Sequence, residues 1–370
     1  MKQLIIILLT CITVASCKQA RQITDAITKP SAKSVFERDL KDDSIVKHYE
    51  KHYSAAKNNG LILQIPALIQ SKADTPLLKI LAYTIDLQQG ERLKIECNLP
   101  TDSLQLVMDL YSFTNDSTIS KKPIASNTTA SNIISYNVTN TGTYKIVVFP
   151  NTKNQTHFNL KLYTEPTLIF PVSGKGNTSI QSFWGATRSG GKRTHEGIDI
   201  FAARGTPVIA ATDGFISNTG NRGLGGKQVW LRDGLFGSSL YYAHLDSIAV
   251  TRGRQVQTGD TLGFVGNTGN AITTSPHLHF GIYTSKGAIN PLPFVKQTVL
   301  PEFKTDLLLS TSETRLSKNE LRVSPNVKAE KIRDIKAKTA VQILGKTQSW
   351  FHLIVNDSLE GFMHESLIIQ

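Results

Sequence analysis

Leu104, Leu106, Met108 and Leu110 fall on every second position, and Phe158, Leu160 and Leu162 repeat that spacing. Successive side chains of a strand point to opposite faces, so this period predicts half-buried β-strands. Tyr144 to Phe149 adds another, and Gln89-Gly90 and Thr141-Gly142 supply turns. Together they predict a small β-sandwich over residues 75–165. Upstream, Ile45, Val46, Tyr49 and Tyr53 follow the helical period within Ser44 to Lys57. A short helical segment is therefore expected in residues 34–74, broken at Lys41-Asp-Asp43 and closed by Gly60. Residues 166–300 show short strands at Pro207 to Ala211, Lys227 to Leu231, Ser239 to Tyr242 and His277 to Tyr283, with glycine at nearly every turn. A last set, Leu321 to Pro325, Val341 to Leu344, Trp350 to Leu353 and Glu360 to His364, occupies 312–370. The predicted fold class is mainly β, with antiparallel sheets and little helix. Antiparallel strands joined by long glycine-rich loops leave an open groove suited to an extended peptide, roofed here by Gly220 to Gly226 and Gly266 to Gly269.

Four of the nine histidines lie in the glycine-rich stretch, in His195-Glu-Gly-Ile-Asp199, Tyr241-Tyr-Ala-His244-Leu245 and Ser275-Pro-His277-Leu-His279-Phe280. Imidazoles and a carboxylate spaced this way are the donors of a zinc site assembled from separate strands. A catalytic zinc keeps three protein ligands and leaves a position for water. Five candidates are then one ligand set plus neighbours that handle protons. His195-Glu196 invites comparison with the helical His-Glu-x-x-His motif. The fifth position is Asp199, however, Gly197 weakens a helix, and Ile198 and Ile200 flank Asp199 with strand alternation. Asp199 is thus predicted to face away from an apolar core, with His195 in the loop feeding that strand. Leu278 and Phe280 alternate with His277 and His279, which puts both imidazoles on one face about 6–7 Å apart at a rise of ~3.3 Å per residue. Both can ligate one ion, or one ligates while the other bonds its water, and the local pattern permits either.

His-x-x-x-Asp, Tyr-x-His-Leu and His-x-His-Phe, in this order between about Phe170 and Leu292, resemble the lysostaphin-type (LytM-like) zinc endopeptidases that cut peptidoglycan peptides. Gly205 to Gly214, Gly259-Asp260, Gly263-Phe-Val-Gly266 and Asn290-Pro-Leu-Pro293 sit where that family repeats them. The resemblance implies that His195, Asp199 and His279 ligate Zn2+, with His244 and His277 as a second, catalytic pair. One of that pair then takes a proton from water and the other stabilises the oxyanion, in an order left open. Tyr83 to Leu87, Gly90 to Ile95 and Gly142 to Ile146 are similar to a pre-peptidase type of β-sandwich. The 312–370 segment resembles a bacterial SH3-like wall-binding domain, with Leu321-Arg-Val where that family usually shows Asn-Val-Arg. Trp350 and Phe351 there either form a peptide-binding surface or fill the barrel, which is the favoured place for Phe351.

Met1-Lys2 followed by the apolar run Leu4 to Val14 has the charge and length of a secretory signal, too short for a span of ~20 residues. Val14-Ala15-Ser16-Cys17 resembles a bacterial lipobox, which implies cleavage after residue 16, acylation of Cys17 and a polar tether over 17–33. Cys97 is then the sole unacylated cysteine of a mature chain made without intramolecular disulfides, in the period of Leu93 and Ile95 and so a small buried residue. The chain carries a formal charge of +12, but residues 167–300 hold 12 Lys and Arg against 6 Asp and Glu without clustering, so nucleic acid is not an expected partner. Anionic wall polymers and lipid headgroups are. His48 and His52 share a helix face with lysines and read as solvated, and His157, His352 and His364 read as structural. Arg188 and Arg193, just before His195, face either substrate carboxylates or solvent. The expected function is a lipid-anchored zinc endopeptidase, exported and facing the periplasm or wall, acting on peptidoglycan stem or cross-bridge peptides. Its alternatives are a noncatalytic wall-binding lipoprotein that regulates another hydrolase and a zinc endopeptidase with a protein substrate. The bond cleaved and the oligomeric state are not encoded in these patterns.

Overall fold

The computed structural model describes residues 24–369 apart from positions 26, 41–42, 59, 74–79, 99–104, 115–117, 152–155, 235–236, 299, 301–310 and 357–358. The signal segment 1–16, Cys17 and the first part of the tether lie outside the described residues. Among the described residues no helix is long and apolar enough to cross a membrane.

The chain is mainly β, as the alternation predicts. Helix Ala32–Asp39 begins at Ser31, whose side chain accepts a hydrogen bond from the Ser34 N–H and so satisfies one of the donors a helix start leaves open. Helix Asp43–Lys57 buries Tyr49 and Tyr53 on one face. With Phe36 they cover Ala82, Val107, Tyr111, Val147 and Phe149 on a four-stranded sheet ordered Leu81–Leu87, Gly142–Asn151, Gln105–Ser112, Ala125–Ser126. Asp109 is fully buried beneath the helices, a costly place for a carboxylate without partners. It accepts from Tyr53 Oη at 2.6 Å and Ser126 Oγ at 2.5 Å, with Lys33 Nζ 3.5 Å away. The other sheet face turns Leu106, Met108 and Leu110 onto Leu93, Ile95, Leu160 and Leu162 of the second sheet, completing the sandwich core.

The helical part ends at Lys57, just before the Gly60 stop, and in the rest of the 34–74 segment Ala67–Ala73 is a strand. It pairs along its length with Thr156–Pro166, and Leu68 and Ile69 pair on its other edge with Lys346 and Gly345. Ala67, Ile69 and Ser71 are buried in alternation, but a seven-residue run with polar Gln70 and Lys72 shows little of that periodicity.

The second pairing has a larger consequence. It makes one eleven-stranded sheet that runs from the sandwich into the C-terminal unit. Strand Trp350–Val355 then divides its side chains between two cores. Trp350, 8% exposed, joins the sandwich cluster with Phe362, while Phe351 packs with Leu321, Val341 and Leu353 in the C-terminal cluster. His352 is buried as well, its Nδ1 3.0 Å from Tyr83 Oη, and Thr347 Oγ1 donates to the carbonyls of Gln64 and Pro66. Trp350 is therefore a seam residue, not part of an exposed aromatic surface.

Between these parts lies a ten-stranded antiparallel sheet whose main path is Gln255–Val256, Gly214–Arg222, Gly226–Asp233, Ser239–Ile248, His277–Thr284, Ile198–Phe201 and Ile180–Ser182. Ile198, Ile200, Tyr242, Leu278, Phe280 and Val295 fill the core on one side. The other side carries the site. The sheet is moored to the sandwich by Thr167 N to Gly90 O at 3.2 Å and by the Phe294 ring, which lies directly against Gly90.

Because Trp350 completes the sandwich core from a distant part of the chain, Trp350→Ala is expected to cost about 3–5 kcal/mol and to lower the unfolding transition of the sandwich along with that of the C-terminal unit. Denaturant unfolding followed by probes in each part checks this. An unchanged sandwich transition would mean the two parts are independent.

Candidate metal and catalytic site

The site begins with strand register. Asp199 lies directly opposite His279, and Phe201 opposite His277, in the antiparallel pair of Ile198–Phe201 with His277–Thr284. Opposed residues have Cβ atoms about 4.5–5.5 Å apart, so Asp199 and His279 meet without further arrangement. Leu278, Phe280, Ile198 and Ile200 take the alternate positions and lie in the core. His195 arrives from the short hairpin Thr187–Arg188 and Arg193–Thr194.

His195 Nε2, Asp199 Oδ1 and His279 Nδ1 are each 3.0 Å from the other two. The other nitrogen decides what His195 presents. Its Nδ1 is 2.9 Å from the carbonyl oxygen of Phe183, which can only accept, so Nδ1 carries the proton and Nε2 of the neutral ring is a lone pair. The same logic sets two more rings. Nδ1 of His244 donates to Thr268 O and Nδ1 of His277 to Ser275 O, both at 2.8 Å, which leaves each Nε2 as an acceptor. His277 stacks on Phe201 with ring centroids 4.9 Å apart, and the His244 ring lies 5.1 Å from His277 and 5.8 Å from His279.

Electrostatics follow from this enclosure. Burial works against ionisation of Asp199, but His195 and His279, when their rings take up a second proton, donate to it and place positive charge beside it, which outweighs burial and holds the carboxyl well below the usual carboxylate range. Burial lowers the pKa of His279 although Asp199 pulls the other way. His244 is pushed down to about 4 by burial, with His279 and His277 adding to the effect. A neutral imidazole there is ready to accept a proton.

The donor set fits a bound metal. Two imidazole nitrogens and a carboxylate oxygen, all within 4.8 Å of one another, match the ligand types of a three-ligand catalytic zinc. Their 3.0 Å separations are close to the edge of a tetrahedron with ~2.0–2.1 Å bonds, about 3.3 Å. Gly197 makes room for this. A Cβ on it would lie 2.6 Å from His279 Cε1 and 2.7 Å from Nε2, so any side chain would displace the ring whose far edge supplies Nδ1.

His244 reaches the site by a different device. Tyr241 and Ala243 share a face with His279, since Ala243 pairs with His279, while Tyr242 and Leu245 lie in the core. Strict alternation would send His244 to the core with Tyr242. Instead the four residues 242–245 lie opposite three of the partner strand, 227–229, between the pairs Lys227↔Leu245 and Val229↔Tyr242, a bulge with one extra residue. His244 takes φ 63° within it, and its N–H bonds to Gly225 O at 2.8 Å. The turn redirects the imidazole to the groove.

The groove is lined among the described residues only by positions between Ser182 and Tyr283. The expected roof loops are joined into one wall: Asn270 N donates to Leu224 O, Lys227 N to Thr268 Oγ1, and Gly226 and Gly269 touch so closely that neither has space for a Cβ. Trp230, Tyr241 and Tyr283 form an aromatic patch, with Trp230 4.4 Å from Tyr241 and 5.2 Å from Tyr283 by ring centroids. Sequence reasoning passed over this patch, although Tyr283 falls in the period of His277 and His279. Arg188 is only partly solvated: its Nη2 is 3.0 Å from Asp199 Oδ2.

The sequence profile of peptidase family M23 matches residues 193–291. The L-Ala–D-Glu endopeptidase of Bacillus subtilis is 34% identical over 139 residues, covering 34% of this chain and 42% of that protein. A DD-carboxypeptidase/endopeptidase of Neisseria meningitidis serogroup B is 40% identical over 100 residues, covering 27% of this chain and 22% of that protein. The chain thus spans less than half the length of these relatives. The catalytic domain of lysostaphin from Staphylococcus simulans is 33% identical in sequence, over 31% of this chain and 89% of that structure, with a TM-score of 0.29.

The left-handed backbone at His244 is costly for any residue with a Cβ, by roughly 1–2 kcal/mol relative to glycine. His244→Gly is therefore expected to be more stable than His244→Ala by about 1 kcal/mol, although both lack the imidazole. Paired thermal unfolding curves measure the difference, and equal stability of the two variants would contradict the strained bulge.

Proposed function

Starting from a chain whose residues 193–291 are a domain of peptidase family M23, we propose that it is a zinc endopeptidase that hydrolyses peptide bonds in peptidoglycan stem or cross-bridge peptides. The observation that carries this reading is the meeting of His195, Asp199 and His279 beneath an open groove, with two further imidazoles offering lone pairs beside them. The named activities of the bacterial relatives, endopeptidases and a carboxypeptidase/endopeptidase, support it.

His195, Asp199 and His279 would hold the ion. A zinc there supplies a Lewis acid for the scissile carbonyl and lowers the pKa of its water to about 7. The remaining work belongs to the chain. His244, kept neutral by burial, takes a proton from the attacking water on Nε2 as the new carbon–oxygen bond forms. His277, anchored to Ser275 O through Nδ1 and stacked on Phe201, enters the reaction as an imidazolium, having taken a proton from bulk solvent on Nε2, donates a hydrogen bond from Nε2 to the developing oxyanion and keeps that proton through turnover. When the carbon–nitrogen bond breaks, the proton held by His244 passes to the leaving nitrogen. The groove walls, Leu224 to Gly225 on one side and the hairpin before His195 on the other, hold an extended peptide across these groups.

The test uses purified sacculi and a soluble form that starts after Cys17. Zinc-loaded protein is expected to release muropeptides with new amino and carboxyl termini. Asp199→Ala is expected to lose both zinc and release, and His244→Ala to keep zinc while losing about a hundredfold or more in rate, the usual scale of acid–base help. An Asp199→Ala protein with stoichiometric zinc and full activity would overturn the assignment.

The proposal includes the location. Acylation at Cys17 attaches the mature chain to a membrane facing the periplasm or wall, since two or three acyl chains give stable attachment where one is marginal. Labelled fatty acid is expected in the wild-type chain and absent from Cys17→Ser, which is expected in the soluble fraction. Unlabelled wild-type protein would refute the anchor.

A further inference from the structure

The mechanism leaves Arg188 unused. Arg188 is the last residue before the turn of the hairpin that leads to His195, with its side chain 36% exposed and that of Asp199 11% exposed. One nitrogen makes both of its contacts: Nη2 donates to Asp199 Oδ2 at 3.0 Å and to Ser182 Oγ at 2.5 Å. Ser182 pairs with Asp199 across adjacent strands, and its Oγ is 3.4 Å from His195 Nδ1. Arg188 therefore touches the carboxylate directly and the neighbourhood of His195 through a hydroxyl.

We propose that Arg188 is a positioning residue of the metal centre. It claims the outer oxygen of Asp199 and so leaves Oδ1 alone to face His195 and His279. A carboxylate free of such a partner can rotate or offer both oxygens to an ion. One with Oδ2 held by a charge-assisted hydrogen bond has a single orientation. The arrangement also links the hairpin that edges the groove to a ligand, so a shift of the hairpin moves Asp199.

The sign of the effect separates this role from simple charge. A guanidinium repels a dication, so if charge alone mattered, removing it would tighten zinc binding. Orientation predicts the opposite. Loss of a residue that orients a ligand commonly costs 10–100-fold in metal affinity.

The proposal rests on reading His195, Asp199 and His279 as zinc ligands, and the experiment keeps the two apart. Zinc affinity is measured by chelator competition on wild type, Arg188→Met and Arg188→Lys, together with thermal unfolding of each metal-free protein. The expected result is about 10–100-fold weaker zinc binding by Arg188→Met, with partial recovery in Arg188→Lys, in proteins that are folded without metal. Wild-type or tighter zinc binding by Arg188→Met would overturn the proposal while leaving the ligand set intact. Absence of zinc binding by wild type would overturn the ligand reading itself. Should Arg188→Met fail to fold, Arg188→Lys decides: it retains charge but has a shorter, single-headed group, and undiminished affinity in it refutes the positioning role.

Discussion

Three electron-pair donors held 3.0 Å apart and largely out of water, His195 Nε2, Asp199 Oδ1 and His279 Nδ1, are the constraint on which the rest of the central domain depends. Lone pairs repel, and a buried carboxylate is expensive unless a cation or hydrogen-bond donors meet it. The chain meets this cost with rigid surroundings. Sheet register sets Asp199 opposite His279, a carbonyl fixes the His195 tautomer, Gly197 admits the His279 ring, and Arg188 takes the spare carboxylate oxygen. The strands that carry Asp199 and His279 have their other face in an apolar core, so these two donors cannot separate without disturbing Ile198, Ile200, Leu278 or Phe280.

The same dependence explains why the proposed catalytic pair is built differently from the proposed ligands. His277 comes from the regular period of its strand, but His244 is turned to the groove by a bulge and a left-handed residue. Strain of this kind persists only where surrounding contacts enforce it. Here the Gly225 carbonyl and the Thr268 carbonyl grip the His244 backbone and ring, and both belong to the joined loop wall. The wall that lines the groove is thus also the clamp on the imidazole proposed to handle protons.

Much of this was legible from residue order. The alternation of Leu278 and Phe280 with His277 and His279, and of Ile198 and Ile200 about Asp199, places the imidazoles and the carboxylate on the side away from the core, and the structure brings them together. His244 was not legible by the same rule, since parity with Tyr242 points it into the core and a bulge leaves no clear mark in a single sequence. Arg188 was ambiguous because a charged residue near a site has a solvated alternative until its distance to Asp199 is known. The seam between sandwich and C-terminal unit was hidden for another reason: Ala67–Ala73 is short and weakly periodic, and its partner Ala340–Thr347 is remote in sequence. Trp350 appears as a surface aromatic only when the C-terminal unit is imagined alone.

Backbone carbonyls lock the tautomers of His195, His244 and His277 so that their Nε2 lone pairs face the site, and under the proposed zinc assignment only His195 and His279 among the histidines would give nitrogen to the metal. Nitrogen-15 NMR of the imidazole rings, recorded on metal-free protein and during zinc titration, tests it most directly. The predicted result is a proton on Nδ1 of His195, His244 and His277 in their neutral forms, with zinc shifting Nε2 of His195 and Nδ1 of His279 at one equivalent. A proton on Nε2 of neutral His195, or direct zinc coordination of His244 or His277 in place of His279, would contradict it.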